Sequence, residues 1–260
     1  MTLQEMKQKK RELGYSYAQM SELSGVPLGT IQKIFSGETM TPRYDTLRAL
    51  EGIFEEPLLF REGCPYMAKR QGEYTVEDYR NLPDDQRVEL IDGVFYDMAA
   101  PTVLHQRICG EIYRQISNFI MESGGDCLPI IAPVDIQLDC DERTMIQPDV
   151  AVLCKKEQAR KWGIYGSPEF VLEVISPSTK KKDCIKKLAK YMEANVQEYW
   201  ILDPYQKKLL VYEFEEDCYP KISGLGEPVS LSLYGGRLKI QFEHILKWIE
   251  EEGEESNSVL

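Results

Sequence analysis

Phe170-Val171-Leu172-Glu173-Val174-Ile175 is a β-forming run that carries a single carboxylate and stops at Ser176-Pro177-Ser178-Thr179. An earlier run ends at Pro148-Asp149, 24 residues before Glu173. An acid embedded among β-branched residues is costly unless it is paired, hydrogen-bonded or bound to a cation, so two such acids suggest one shared site, most simply a metal site. Just downstream, Asp183, Lys187 and Tyr191 recur every four residues on an expected helix, which stacks them along one face and adds a cation to the pair. Two carboxylates and a lysine equip a magnesium-dependent phosphodiesterase. The cation, Mg2+ or Mn2+, would be held by Asp149 and Glu173; it would polarise a phosphoryl oxygen and acidify the attacking water. Lys187 fits as the group that orients or deprotonates that water, or that steadies the charge of the transition state.

Strand candidates flank these residues at Ile130–Leu138, Met145–Leu153, Glu198–Asp203 and Lys208–Phe214. Val88 to Met98 reads as a hairpin around Asp92-Gly93. Helices are expected over His105–Met121, where Ile108, Ile112, Ile116 and Ile120 share a side, and over Thr179–Ala194; Thr75 to Arg80 reads as a capped helical turn. Alternating strands and helices predict an α/β fold, a mixed sheet flanked by helices. Val229 to Trp248 adds a short strand or two and a closing helix. Trp162, Trp200 and Trp248 are expected in the core.

The first seventy residues read differently. Apolar positions at helical spacing mark four or five short helices, among them Ala18-Met20-Leu23 and Ile31-Ile34-Phe35. Ser24-Gly25-Val26-Pro27 separates the second from the third, because glycine permits a sharp turn and proline is excluded from a helix interior. A helix, a tight glycine turn and a short second helix form a helix-turn-helix, whose second member enters the DNA major groove. The stretch from Tyr17 to Gly37 closely resembles the lambda-repressor-like, Cro-type helix-turn-helix family, over about residues 1–60. That resemblance implies that Leu28, Gly29, Thr30, Gln32 and Lys33 lie on or near the recognition helix. Gln32 would read a base edge, Lys33 a phosphate, and Gln19 the DNA backbone. The alternative is a small helical bundle that contacts another protein.

Length and charge fit this division. The chain has 260 residues, 43% hydrophobic and 28% charged, which suits one or two folded domains. Residues 1–70 hold 10 Lys/Arg against 9 Asp/Glu, about +1, whereas the remainder holds 21 against 34, or −13, and so accounts for the net charge of −12. Only the first part can approach DNA unaided; the acidic remainder needs a divalent ion or a local basic patch. The lysines at 180, 181, 182, 186 and 190, crowding Lys187, are such a patch or a solvated surface. Seven scattered cysteines with no Cys-x-x-Cys indicate reduced thiols. No run of about 18 apolar residues exists, the first residues are polar, and a cytoplasmic protein is expected. The expected organisation is a helix-turn-helix domain over 1–60, a linker over 61–72, the α/β domain over 73–245 and an acidic, disordered tail over 246–260.

A second resemblance covers residues 72–215. Tyr74-Thr-Val-Glu-Asp-Tyr79, Leu82-Pro-Asp-Asp85, Glu89-Leu-Ile-Asp-Gly93, Met98-Ala-Ala-Pro101, His105, Gln147-Pro-Asp149-Val, Glu173-Val-Ile-Ser-Pro-Ser-Thr179, Asp183-x-x-x-Lys187-x-x-x-Tyr191 and Glu198-Tyr-Trp200 together resemble the Uma-two family of the PD-(D/E)XK nuclease superfamily. The resemblance implies a restriction-endonuclease-like core with Asp149 and Glu173 as metal ligands, Glu89 as a further acid and His105 nearby. The superfamily lysine usually follows the glutamate by two residues; here Ile175 stands there, and Lys187 is its displaced substitute. His105 either caps and packs its helix or joins the chemistry, and Tyr191 either hydrogen-bonds the site or packs.

The implied function is a DNA-binding, metal-dependent endonuclease, with a homodimer suited to paired half-sites. Its rivals are a transcription regulator whose nuclease-like domain serves as an interaction module, and a protein-binding helical domain joined to a hydrolase of some other phosphodiester.

Overall fold

Chain direction in the N-terminal unit is set by its caps. The computed structural model describes residues 2–13, 15–39, 42–55, 69–83, 86–138, 140–176, 182–215 and 219–258. It divides into two units, residues 1–74 with 93–96 and residues 75–92 with 97–260. The first contains α1 (Leu3–Leu13), α2 (Tyr17–Ser24), α3 (Leu28–Ser36) and α4 (Tyr44–Glu55). Ser16 Oγ accepts from the Gln19 N–H at 3.1 Å while Gln19 Oε1 accepts from the Ser16 N–H at 2.7 Å, a reciprocal cap that starts α2. Gly25, at φ 68°, ends that helix in the left-handed region that glycine enters without strain. Met6, Met20, Ile31, Ile34 and Leu50 are fully buried and hold the four helices together.

After α4 the chain forms α5 (Val76–Arg80), β1 (Val88–Ile91), β2 (Val94–Asp97), α6 (Val103–Glu122), β3 (Leu128–Ile131), β4 (Ile136–Gln137), β5 (Met145–Ile146), β6 (Val150–Leu153), β7 (Ala159–Arg160), β8 (Gly163–Tyr165) and β9 (Phe170–Val174). A π-helical segment (Lys182–Lys187) then leads into α7 (Leu188–Glu193), followed by β10 (Glu198–Asp203), β11 (Lys208–Glu213), β12 (Lys221–Gly224), β13 (Val229–Leu231), β14 (Leu238–Ile240) and α8 (Glu243–Ser258). The division between units assigns most of β2 to the first. The larger sheet has the order β12-β11-β10-β9-β6-β3, parallel only between β9 and β10. The connection between those two is the helical segment over 182–193, as a parallel crossover requires. In the smaller sheet β1, β5, β4, β8 and β7 lie side by side in that order. The mixed α/β architecture expected from the sequence is the one observed.

Pleating sorts the larger sheet into two faces. Phe170, Leu172 and Val174 of β9 join Val150, Val152, Trp200 and Leu202 in one core, against which α6 lays its stripe of Leu104, Ile108, Ile112, Ile116 and Ile120. Each such side chain removed from water contributes roughly 1.5–3 kcal/mol. Glu173, between Leu172 and Val174, falls on the opposite face.

Several expectations are corrected. The runs Ile130–Leu138 and Met145–Leu153 are each two strands in different sheets, broken at Ala132-Pro133 and at Gln147-Pro148-Asp149, because proline donates no ladder hydrogen bond. The cysteines are not all reduced: Cys127 and Cys154 form a disulfide with Cα atoms 4.0 Å apart. Antiparallel pairing of Leu128 with Leu153 brings them opposite one another across 27 residues, a proximity no local spacing reveals. The acidic tail is not disordered over its described part, since α8 runs to Ser258. Ile245 is fully buried, Leu246, Trp248 and Ile249 pack on the same core, and glutamates extend the helix they anchor. Trp162 is 41% exposed in the turn between β7 and β8, with the Arg80 guanidinium 4.2 Å from its ring centre, rather than in the core. Residues 61–68 of the expected linker and the start of the helix expected from Thr179 lie outside the described residues. No helix among the described residues is long and apolar enough to cross a membrane.

Candidate functional site

The bend at Pro148 delivers Asp149 to the end of β6. Because Val150 pairs with Leu172, the next position places Asp149 opposite Glu173 on the same face. The Val174 N–H donates to Asp149 Oδ2 at 2.8 Å, and His105 Nε2 lies 3.1 Å from the same oxygen. His105 occupies the first turn of α6, where its N–H donates to the Thr102 hydroxyl at 3.1 Å.

Glu173 Oε1 accepts from Lys187 Nζ at 2.7 Å and from the Tyr191 hydroxyl at 2.9 Å. Lys187 Nζ is also 2.7 Å from Glu89 Oε1 and 3.7 Å from Asp183 Oδ1. Glu89, fully buried in β1, accepts further from the Gln147 N–H at 3.0 Å and from Lys182 Nζ at 2.6 Å. Lys182 and Lys187 reach one acid because their segment is π-helical. Residues five apart on an α-helix point about 140° away from each other, whereas the i to i+5 bonding of a π turn brings them to one side.

Six residues expected from the sequence are therefore brought together in two groups that face each other across β6 and β9, His105 with Asp149, and Glu173 with Lys187, Tyr191 and Glu89. The partners Lys182 and Cys109 are not among them, while Asp183 is expected on the face of Lys187 and Tyr191 without a role of its own. Lys182 is visible in the sequence only as a member of a lysine run, and Cys109 only as one of seven scattered cysteines. The lysine run is not an open basic patch over its described part: Lys182 and Lys187 are paired as above, and Lys190 is held by Asp92, Asp141 and Glu193 at 2.5, 2.9 and 2.9 Å. Lys180 and Lys181 lie outside the described residues.

Charge in this network is unbalanced. Glu89, Asp149, Glu173 and Asp183 face two ammonium groups, Lys182 and Lys187. Burial raises the Glu89 carboxyl, but Lys187 and Lys182 outweigh it and hold it down at about 2. Burial pushes Glu173 well up, and the negative charges of Asp149, Asp183 and Glu89 reinforce burial against the pull of Lys187. Burial lowers His105, yet its bond to Asp149 prevails and raises it. The Lys187 ammonium is opposed by burial and retained by Glu173, Glu89 and Asp183, which raise it well above the usual lysine range. Surplus carboxylate in a dry site is relieved either by a proton, as the raised Glu173 indicates, or by a cation, and oxygen donors on adjacent strands suit a hard divalent ion.

In the N-terminal unit Leu28, Gly29, Thr30, Gln32 and Lys33 are all exposed along α3, opposite its buried Ile31, Ile34 and Phe35. Gln19 is half-buried, with its Oε1 engaged in the α2 cap.

Comparisons with known proteins agree with this division. A family model, Uma2, described as "Putative restriction endonuclease", matches residues 76–240, and a second, HTH_3, described as "Helix-turn-helix", matches residues 6–60. A crystal structure titled as "a putative nuclease belonging to DUF820 from Anabaena variabilis ATCC 29413" is similar with a TM-score of 0.57 at 16% identity, covering 67% of this chain and 98% of that one. At that identity the likeness shows the fold. None of the curated proteins matches. The chain thus carries a helix-turn-helix DNA-binding domain and a restriction-endonuclease-like domain, a fold whose nucleases generally depend on a divalent metal.

Proposed function

The chain belongs to the Uma2 family, and we propose that it is a DNA endonuclease whose helix-turn-helix delivers a metal-dependent phosphodiesterase to its substrate. The observation that carries this reading is the pairing of Asp149 with Glu173 across β6 and β9 inside a network of surplus negative charge. Asp149 and Glu173 would hold Mg2+ or Mn2+, which supplies Lewis acidity and an acidified water when bound. His105 and the Val174 N–H fix the Asp149 carboxylate. Lys187 and Tyr191 fix Glu173, and Lys187 adds positive charge beside the phosphate in a low-dielectric setting. Glu89 anchors both lysines. In the first domain Gln32 and Thr30 face base edges with Leu28 and Gly29, Lys33 a phosphate, and Gln19 the DNA backbone, with a homodimer placed on paired half-sites. Work on DNA assigns the protein to the cytoplasm, where the Cys127–Cys154 pair meets a reducing thiol pool.

Supercoiled plasmid incubated with the protein and Mg2+ or Mn2+ is expected to be nicked, with no cutting in EDTA and none by Asp149→Ala or Glu173→Ala. Equal cutting by those variants overturns the assignment. A second reading, a regulator whose nuclease-like domain is an interaction module, draws on Lys187 being occupied by three carboxylates; an inert wild type under both metals favours it.

A further inference from the structure

The hydrolytic reading leaves one side chain of α6 without a role. Cys109 follows His105 by four residues, so the two stack on one face of the helix, and its sulfur lies 3.6 Å from His105 Nδ1. One atom each from His105, Cys109 and Asp149 lie within 4.8 Å of one another. We propose that these three residues form a site for a thiophilic transition ion of the zinc and cobalt class, sharing Asp149 with the hard divalent ion.

The donors differ in kind from those of the carboxylate centre. A thiolate, an imidazole and one carboxylate oxygen are a soft, mixed set that selects zinc-like ions, whereas Asp149 with Glu173 offers oxygen alone. Bonds of about 2.0–2.3 Å to a tetrahedral ion put neighbouring donors roughly 3.4–3.6 Å apart, so donors up to 4.8 Å apart must close by no more than about 1.4 Å. Rotation about the Cys109 side chain and a small swing of the imidazole provide that movement. The site has a fourth, open position, since three protein donors leave one for water. Cys109 is 2% exposed and His105 and Asp149 are about one-sixth exposed at their side chains, so the sulfur is shielded while the other two donors face an entry path. On binding, the Cys109 thiol gives its proton to solvent and the ion takes its place; a coordinated thiol is deprotonated outright even where burial otherwise favours the protonated form. Because both kinds of ion need Asp149, each displaces the other. The consequence is a nuclease centre that zinc-like ions hold in a different coordination from magnesium.

The proposal rests on the function proposed above only in sharing Asp149, and its test needs no DNA. Full-length protein, purified without metal, is titrated with Co2+ and followed by absorption. Wild type is expected to show a thiolate-to-cobalt charge-transfer band that saturates at one ion per chain, is removed by Zn2+ and survives a large excess of Mg2+ better than excess Zn2+. Cys109→Ser and His105→Ala are expected to lose the band while keeping the wild-type circular dichroism. A wild type without the band, or a folded Cys109→Ser that keeps it at full strength, overturns the site. A protein that shows the band and does not cut plasmid removes the nuclease reading and leaves this one standing.

Discussion

Replacing Lys187 by Met keeps the length of the side chain and deletes its charge, leaving Glu89, Glu173 and Asp183 buried without their shared cation. Removing one partner of a buried ion pair costs about 3–5 kcal/mol, which in a unit of this size lowers the melting midpoint by about 6–20 °C. The cost depends on pH, and its sign follows from the carboxyls. Glu173 titrates above its unfolded value even with Lys187 present, and Glu89 is held near 2 by Lys187 and Lys182. Without Lys187 both move upward, and Glu173, already above its unfolded value, makes the folded state bind more protons than the unfolded one above pH of about 4.3, so stability falls as pH rises, by about 1.4 kcal/mol per unit for each proton. In the wild type, Lys187 has a raised pKa, so its contribution is complete below about 10.4 and is lost only above that. The deficit of the variant is therefore smallest near pH 4 and grows as pH rises. Tryptophan fluorescence isolates the relevant unit, since Trp162, Trp200 and Trp248 all belong to the second. A midpoint within about 2 °C of wild type at pH 8, or a deficit that does not shrink on acidification, would refute the claim that Lys187 neutralises this cluster.

Asp149→Asn and Glu173→Gln should lower plasmid nicking by about 10²–10³-fold while leaving stability within about 1 kcal/mol, because the amides still accept the same hydrogen bonds; unchanged nicking with intact folding contradicts the site. Lys33→Ala should weaken DNA binding across sequences and reduce the salt slope by about 1, and Gln32→Ala should cost about 1–3 kcal/mol at one base position, both read by gel shift. Glu198→Ala strands the Trp200 indole N–H and the Ser232 N–H and hydroxyl that its carboxylate accepts at 2.6, 2.9 and 2.6 Å, so urea unfolding should show a loss of roughly 3 kcal/mol.

Much of the second domain could be read in one dimension because its central strands are buried on both faces. Phe170–Val174, Glu198–Asp203 and Lys208–Glu213 are long and continuous enough to stand out. Strands of two or three residues, such as Ile136–Gln137 and Met145–Ile146, carry too little pattern to separate from their neighbours, so the runs that contain them were expected as single strands. The pairing of Asp149 with Glu173 was foreseeable from their shared burden, an ionised group among aliphatic neighbours. Lys182 was hidden for a different reason: on an ordinary α-helix its spacing to Lys187 points the two apart, and only the wider turn reunites them. Cys109 gave no signal, because a thiol on an apolar helix face is indistinguishable from packing until His105 and Asp149 are seen beside it. Gln19 illustrates a residue with two employments, one in capping its own helix and one expected at DNA.

The wide turn at Lys182–Lys187 makes chain length itself part of the specification. Losing one residue there would let the segment tighten into an ordinary helix and swing one of the two ammonium groups away from Glu89, even though every charged residue survived. Descendants of this sequence are thus freer to exchange letters in that stretch than to drop one, and an alignment that slips a gap into it would mispair the lysines while looking almost flawless.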